Sequence, residues 1–154
     1  MRSVLLDTNL LLLLVVGLFN RDLIARHKRT NSFVPEDFDL LMEFIDGYDV
    51  LWVTSHCLAE VSNLLRQTTE THADGLMACF TDVVARSRES RIPKEVIFGN
   101  PLVIRIGVAD TGLIIKSKRV NCVLTVDLDL YVEIARRGHS VVNFNHLRSE
   151  RLLS

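Results

Sequence analysis

The sequence predicts an α/β fold of three layers, in which helices cover both faces of a central, mainly parallel sheet. Short apolar runs of strand length alternate with longer segments whose apolar residues recur at helical spacing. Because a helix-length connection returns each strand in the same direction, such strands pair in parallel. The 154 residues, 48% hydrophobic and 24% charged, fit a single domain over residues 1–154 and exclude a disordered chain.

The first half of the chain contains two short strands and three helices. Ser3–Leu6 is a strand that stops at an acid, and the apolar run Leu10–Phe19 is too long for a strand and predicts a buried helix. An amphipathic helix begins at Pro35 and ends at Gly47. Val50–Thr54, rich in β-formers, is the second strand, and a helical period over Leu58–Leu65 follows it.

The second half contains three helices and two strands, with no element assigned to the tail over residues 145–154. We expect a helix over Leu76–Val84 that ends in the polar run Arg86–Arg91, and another that Asp110 begins after a short apolar piece ending at Gly107. The remaining expected elements are a buried strand over Cys122–Thr125, a helix over Leu128–Arg137 and a last strand over Ser140–Phe144.

Four acidic residues fall at the same edge of this predicted sheet. Asp7 ends the first strand, and Glu60 lies early in the helix after the second strand. Asp110 begins a helix, and Asp127 follows the last buried strand by two residues. In parallel sheets the carboxyl ends of strands share one edge, where ligands bind. Two carboxylates ~4 Å apart repel by roughly 4 kcal/mol at an effective dielectric of about 20, so we expect a cation among them.

The local sequence favours a divalent ion as that cation. No Lys or Arg lies within three residues of any of the four acids, and no Cys or His stands at ligand spacing. An oxygen-only site favours Mg²⁺ or Mn²⁺ over zinc. Residue by residue, other interpretations stay open: Asp7 and Asp110 as helix caps, Glu60 as a solvated helix position, and Asp127 with Asp129 as a turn.

Four segments around these acids resemble the PIN domain, a nuclease family that includes VapC-type toxins. They are residues 4–10 (VLLDTNL), 58–61 (LAEV), 107–110 (GVAD) and 124–130 (LTVDLDL). Their order and spacing agree with the family across nearly the whole chain. One departure is that Thr111 and Gly112 follow Asp110, where the family more often has Ala.

The resemblance implies a metal-dependent endoribonuclease and a role for each matching residue. The four acids Asp7, Glu60, Asp110 and Asp127 would coordinate one or two Mg²⁺ or Mn²⁺ ions, with Asp129 as an auxiliary ligand. Asn9 would brace the first acid, and Thr125 would hydrogen-bond water or the scissile phosphate; local capping is the alternative for both. Hydrolysis of RNA would leave 5′-phosphate and 3′-hydroxyl ends.

The formal charge of −1 means that RNA must be held by a local patch or a bound cation. The favoured substrate contacts lie in two basic stretches and comprise Arg26, Lys28, Arg29, Arg86, Arg88 and Arg91, with a solvated face as the alternative. A small domain of this type suggests the toxin of a toxin–antitoxin pair, with an antitoxin protein as partner. Apolar segments favour a homodimer. The first apolar helix falls short of the ~20 residues that a membrane span requires, which favours a cytoplasmic protein without membrane contact.

Two other functions compete with the ribonuclease. A PIN-like fold could bind RNA as a scaffold without cleaving it, although the retention of all four acids argues against this. A haloacid-dehalogenase-like phosphatase also carries acids at strand ends, but it needs D-x-D at the first strand, where this chain has Asn9 in the third position. For the metal-free ribonuclease site, relief of repulsion predicts that Asp7→Asn and Asp110→Asn both raise the melting temperature.

Overall fold

The computed structural model describes residues 1–154, except for the side chain of Glu70, and confirms the three-layer α/β/α fold. Over these residues the strands are β1 Ser3–Leu6, β2 Val50–Thr54, β3 Arg88–Ser90, β4 Cys122–Thr125 and β5 Val141–Asn143. The helices are α1 Thr8–Phe19, α2 Pro35–Asp46, α3 Ser55–Arg66, α4 Glu70–Ala85, α5 Lys94–Phe98, α6 Val103–Ser117, α7 Leu128–Arg136 and α8 Phe144–Leu153. A single 3-10 turn, Arg21–Leu23, follows α1.

The five strands form one sheet in the order β3-β2-β1-β4-β5, with every neighbouring pair parallel. The chain builds outward from β1 through β2 to β3, and then crosses to the other side of β1 to form β4 and β5. The direction of winding therefore reverses between β1 and β4. In open parallel sheets the crevice outside the carboxyl ends of two such strands is the usual ligand site.

Side chains alternate along β1 between two hydrophobic cores, one on each face of the sheet. Val4 and Leu6 pack in a core with the residues of α1, whereas Leu5 packs in a second core with Val123 and with residues of α6 and α7. Alternation of this kind is dictated by the twofold period of a strand. Burial on both faces explains why β1 and β4 are apolar throughout most of their length.

Helix α1 lies against the sheet with eight consecutive buried residues, 10–17, which accounts for its lack of an amphipathic pattern. Among the described residues no helix is both long and apolar enough to cross a membrane.

A buried carboxylate attaches α8 to α2. Asp37 is 0% exposed, accepts a hydrogen bond from the guanidinium of Arg151 at 3.0 Å and forms an ion pair with the guanidinium of Arg148 at 3.1 Å. The same carboxylate accepts the Val34 N–H at 2.9 Å, which caps α2. The tail left unassigned from the sequence is therefore a helix with a defined ionic anchor.

Most expected elements are present, and the differences have physical reasons. The polar run after α4 contains β3, an edge strand that pairs only with β2 and therefore needs no apolar side chains. The apolar piece before Asp110 is already helical, because α6 begins at Val103 and bends at Gly107, whose φ of 85° and ψ of 178° interrupt the helix. Asp110 thus lies inside α6 rather than at its start.

Candidate metal centre

Asp7 lies at the carboxyl end of β1, at the point where the winding of the sheet reverses, and is only 4% exposed. Its Oδ1 accepts the N–H of Leu10 at 2.9 Å, which caps α1. Its Oδ2 accepts the hydroxyl of Thr125 at 2.5 Å and the N–H of Val126 at 2.9 Å. Burial raises the pKa of Asp7, and the three hydrogen bonds offset this only in part. The side chain is therefore held in one orientation by both α1 and β4.

Thr125 connects two of the four acids. Its buried hydroxyl donates to Asp7 and accepts the N–H of Asp127 at 3.0 Å. Because a hydroxyl has one proton, Thr125 has none left to donate to water or to a phosphate. In this arrangement it positions Asp7 against the turn that leads into α7.

Asp127 is the N-cap of α7 and is exposed. Its Oδ1 accepts the N–H of Leu130 at 3.0 Å, so its Oδ2 can bind a further group. Capping and ligand binding are thus compatible here, because each uses a different oxygen of the carboxylate.

Asp110, like Asp7, has a raised proton affinity at this edge. The side chain is half-buried, and burial together with the charges of Asp127, Asp7 and Glu60 raises its pKa to about 6. The charged neighbours that shift this pKa are all carboxylates. The structure therefore brings the four predicted acids within electrostatic reach of one another.

Glu60 reaches this cluster from α3, where it is exposed. Beneath it, burial raises the pKa of the Cys57 thiol to about 11, and the charges of Asp7 and Glu60 act in the same direction. Cys57 is consequently a protonated, unreactive thiol in the floor of the acidic site.

The remaining predicted site residues have different positions. Asp129 is exposed and, with Asp110 and Asp127, lines a cavity of about 210 Å³. Asn9 is exposed on the first turn of α1, and the bonds that orient Asp7 come instead from Leu10, Thr125 and Val126.

Arg105 also lines the acidic cavity and was missed from the sequence. It lies five positions before Asp110, and the bend at Gly107 separates the two. Its guanidinium donates to Glu133 on α7 at 2.9 Å, which ties the first turn of α6 to α7. Because Arg105 has a carboxylate partner of its own, it does not take the place of an ion among the four acids.

The chemistry of this donor set fits a hard divalent ion, since it consists of carboxylate oxygens with unused lone pairs. Among the described residues, however, no three His, Cys, Asp or Glu side chains are placed so that they could hold a metal ion as they stand. Glu60 and Asp127 are exposed, whereas Asp7 is fixed by three hydrogen bonds. A metal ion at this edge would therefore require Glu60 and Asp127 to turn toward Asp7.

The predicted basic contacts lie outside the acidic cavity. Arg26 and Lys28 line a second cavity beside the α3–α4 connection, where Arg29 donates a hydrogen bond to Gln67. Arg91 lines a third cavity that also contains Lys116, Lys118 and Arg119. Arg86 follows α4, and Arg88 begins the edge strand β3.

Comparison of the sequence with protein-family models finds no matching family, and comparison with curated proteins finds no match.

Proposed function

We propose that the protein is a Mg²⁺- or Mn²⁺-dependent ribonuclease that hydrolyses phosphodiester bonds in RNA. The observation that carries this proposal is the pKa of Asp110, raised to about 6 by burial and by three neighbouring carboxylates. Four acids from separate elements at one strand edge repel one another without a counter-ion, and a divalent cation relieves that repulsion. The resemblance of the four acidic segments to PIN domains supports the same function.

The residues of this site would have different roles in binding the metal ion and the RNA. Asp7 supplies a preoriented oxygen, because three hydrogen bonds fix its carboxylate. Asp110, with a pKa of about 6, is mostly ionised at pH 7.5 and can bind a cation, whereas at lower pH protons increasingly compete with the cation for it. When bound, the ion would supply positive charge beside the phosphodiester and lower the pKa of the attacking water. Arg105 lines the cavity and would contact an RNA phosphate with the guanidinium N–H groups that its ion pair with Glu133 leaves free.

Incubation of the purified protein with end-labelled single-stranded RNA tests this proposal. We expect cleavage in 5 mM Mg²⁺, no cleavage in EDTA, and at least a hundredfold loss in Asp110→Asn (~2.7 kcal/mol of transition-state stabilisation). Glu43→Gln, which removes an exposed carboxylate from α2, is the matched control and should cleave normally. Cleavage undiminished by EDTA would refute the metal-dependent mechanism.

The same experiment separates the competing functions. RNA that is bound but left intact in Mg²⁺ and in Mn²⁺ would favour the scaffold, whereas release of phosphate from a phosphomonoester without RNA cleavage would favour the phosphatase.

A toxin role in the cytoplasm, neutralised by an antitoxin protein, follows from the resemblance to VapC-type toxins. Induced expression of the wild type should arrest bacterial growth, and expression of Asp110→Asn at equal level should not. Growth arrest by both proteins would indicate an effect unrelated to cleavage. Size-exclusion chromatography with light scattering tests the expected homodimer.

A further inference from the structure

A second cavity, of about 270 Å³, lies between the loop after the 3-10 turn and the start of α4. It shares no lining residue with the acidic cavity. Arg26, His27 and Lys28 line one side, and Thr68, Thr69 and His72 line the other. A hydrogen bond from Arg29 to Gln67 ties the two sides together.

His27 presents a buried hydrogen-bond donor at this cavity. The residue is 3% exposed, and its Nδ1 accepts the backbone N–H of Arg29 at 3.1 Å. An Nδ1 that accepts a hydrogen bond carries no proton, so the proton of the neutral ring is on Nε2. Burial, reinforced by the charges of Lys28 and Arg29, lowers the pKa of His27 and keeps the ring neutral. Within the described part of the chain, Nε2 has no hydrogen-bond partner, and a buried donor without one is costly.

The N-terminus of α4 contributes a second, independent source of positive potential. This helix has 16 residues, and its N-cap, Thr69, makes no side-chain capping hydrogen bond. First-turn N–H groups of a helix generally lack partners within it, although in α4 that of His72 bonds to the Thr69 carbonyl at 3.1 Å, and the helix dipole favours an anion there. His72, in that first turn, faces Phe19 edge-on with ring centroids 6.0 Å apart, so its ring is held in place.

Two cationic side chains complete the set. Arg26 donates only to the carbonyl of Asp22, at 3.4 Å, and neither Arg26 nor Lys28 forms an ion pair with a carboxylate among the described residues. Cations, an unpartnered N–H and an uncapped helix start thus converge on one cavity from two segments of the chain. All of them attract a compact anion with several acceptor oxygens.

We propose that this cavity binds a phosphate group. Its volume is at the lower end of ligand sites, which suits a phosphate with part of a sugar better than a whole nucleotide. The group is either a free phosphate or a backbone phosphate of RNA; the second source rests on the proposed ribonuclease function, and the first does not.

Titration of the protein with inorganic phosphate, followed by NMR of the histidine ring signals, tests the proposal. The titration is done in EDTA at pH 7 and constant ionic strength, with chloride as the reference anion. We expect saturable shifts of the His27 and His72 signals, and about tenfold weaker binding in Lys28→Gln and in His27→Phe, both read from His72. Lys118→Gln, which removes a charge at the other basic cavity, is the matched control and should bind phosphate as the wild type does.

Absence of saturation in the wild type, or equal affinity in Lys28→Gln and Lys118→Gln, would overturn the proposal. If His27→Phe fails to fold, Lys28→Gln still tests the proposal, because Lys28 is exposed and its replacement does not disturb the core.

A second measurement distinguishes the two sources of the phosphate group. Binding of fluorescent single-stranded RNA is compared in EDTA, without turnover, for Lys28→Gln and Lys118→Gln. A larger loss of RNA affinity in Lys28→Gln than in Lys118→Gln supports an RNA backbone phosphate as the ligand. Equal losses would exclude RNA as the source and indicate that the cavity binds free phosphate. Since neither measurement requires cleavage, failure here is distinguishable from failure of the proposed function.

Discussion

Replacement of Asp110 by Asn should stabilise the metal-free protein, because it removes one of four mutually repelling charges. The pKa of Asp110 is raised from 3.8 to about 6 by burial and by Asp127, Asp7 and Glu60. A shift of about two units corresponds to ~3 kcal/mol at 1.36 kcal/mol per unit. Because the Asp110 side chain is only half-buried, solvent screens part of this energy, and we expect the free energy of unfolding to rise by about 1–2 kcal/mol in Asp110→Asn.

The sign of the pH dependence follows from linkage. A carboxyl group whose pKa is higher in the folded state favours folding while it is protonated, and this contribution is lost as pH rises through about 6. The variant should therefore exceed the wild type at pH 8, by about 2–8 °C in melting temperature, and match it near pH 4. Saturating Mg²⁺ should stabilise the wild type and narrow or reverse the difference.

Differential scanning fluorimetry in EDTA at pH 4, 6 and 8 measures this effect, and the exposed Glu43→Gln is the control for loss of a carboxylate. A lower melting temperature for Asp110→Asn at pH 8 would refute the reasoning, since it would mean that the carboxylate makes a favourable contact in the fold.

The other predictions concern the groups that position the site and the tail. Asp7→Asn should be destabilised by about 1–3 kcal/mol in thermal melts. Both oxygens of the carboxylate accept hydrogen bonds, from Leu10, Thr125 and Val126, and the NH₂ group of an amide cannot accept, so at least one of these donors loses its partner. Thr125→Val should cost about 2–4 kcal/mol in urea unfolding, whereas Thr125→Ser keeps the hydroxyl and should cost far less. Gly107→Ala should lose about 1–3 kcal/mol of stability, because a φ of 85° is strained for alanine, and most Mg²⁺-dependent cleavage, because the bend at Gly107 orients Asp110. Gly138→Ala, at a φ of 78°, should lose a similar amount of stability without loss of cleavage. Asp37→Ala should cost about 3–5 kcal/mol in urea unfolding, because two arginines lose a buried partner. Wild-type stability in any of these variants other than Thr125→Ser would contradict the corresponding prediction.

The contrast between Asp7 and Asp110 shows what the sequence could and could not predict about the site. Strand ends and helix starts were sufficient to predict that both carboxylates lie at one edge, because apolar runs and helical periods define those positions. Relief of repulsion alone predicts that both Asn variants are more stable. The structure separates them, because two of the three hydrogen bonds that Asp7 accepts come from Thr125 at the end of β4 and from Val126, more than a hundred residues away.

The elements that the sequence did not predict are those whose stability depends on neighbours. Strand β3 is polar and gains its hydrogen bonds from β2, and α8 is held by the charge of Asp37 together with the apolar contacts of Phe144 and Leu147. The bend at Gly107 leaves the apolar pattern of α6 almost unchanged, so periodicity could not reveal it. Arg105 was missed for the same reason, since the bend determines which side chains face the acids.

The central position of β1 in the sheet has a consequence for how the protein folds during its synthesis. Its partner on one side is β4, and Ser3 bonds to Asn121 across 118 positions of the chain. During translation, β1 and the apolar α1 are therefore synthesised long before β4. Contacts between segments so distant in sequence form slowly. Until then the seven consecutive apolar residues of α1, 10–16, are not fully covered, and transiently exposed apolar surface of this kind is prone to aggregation. The four acids, for their part, cannot come together on the ribosome until Asp127 has been synthesised.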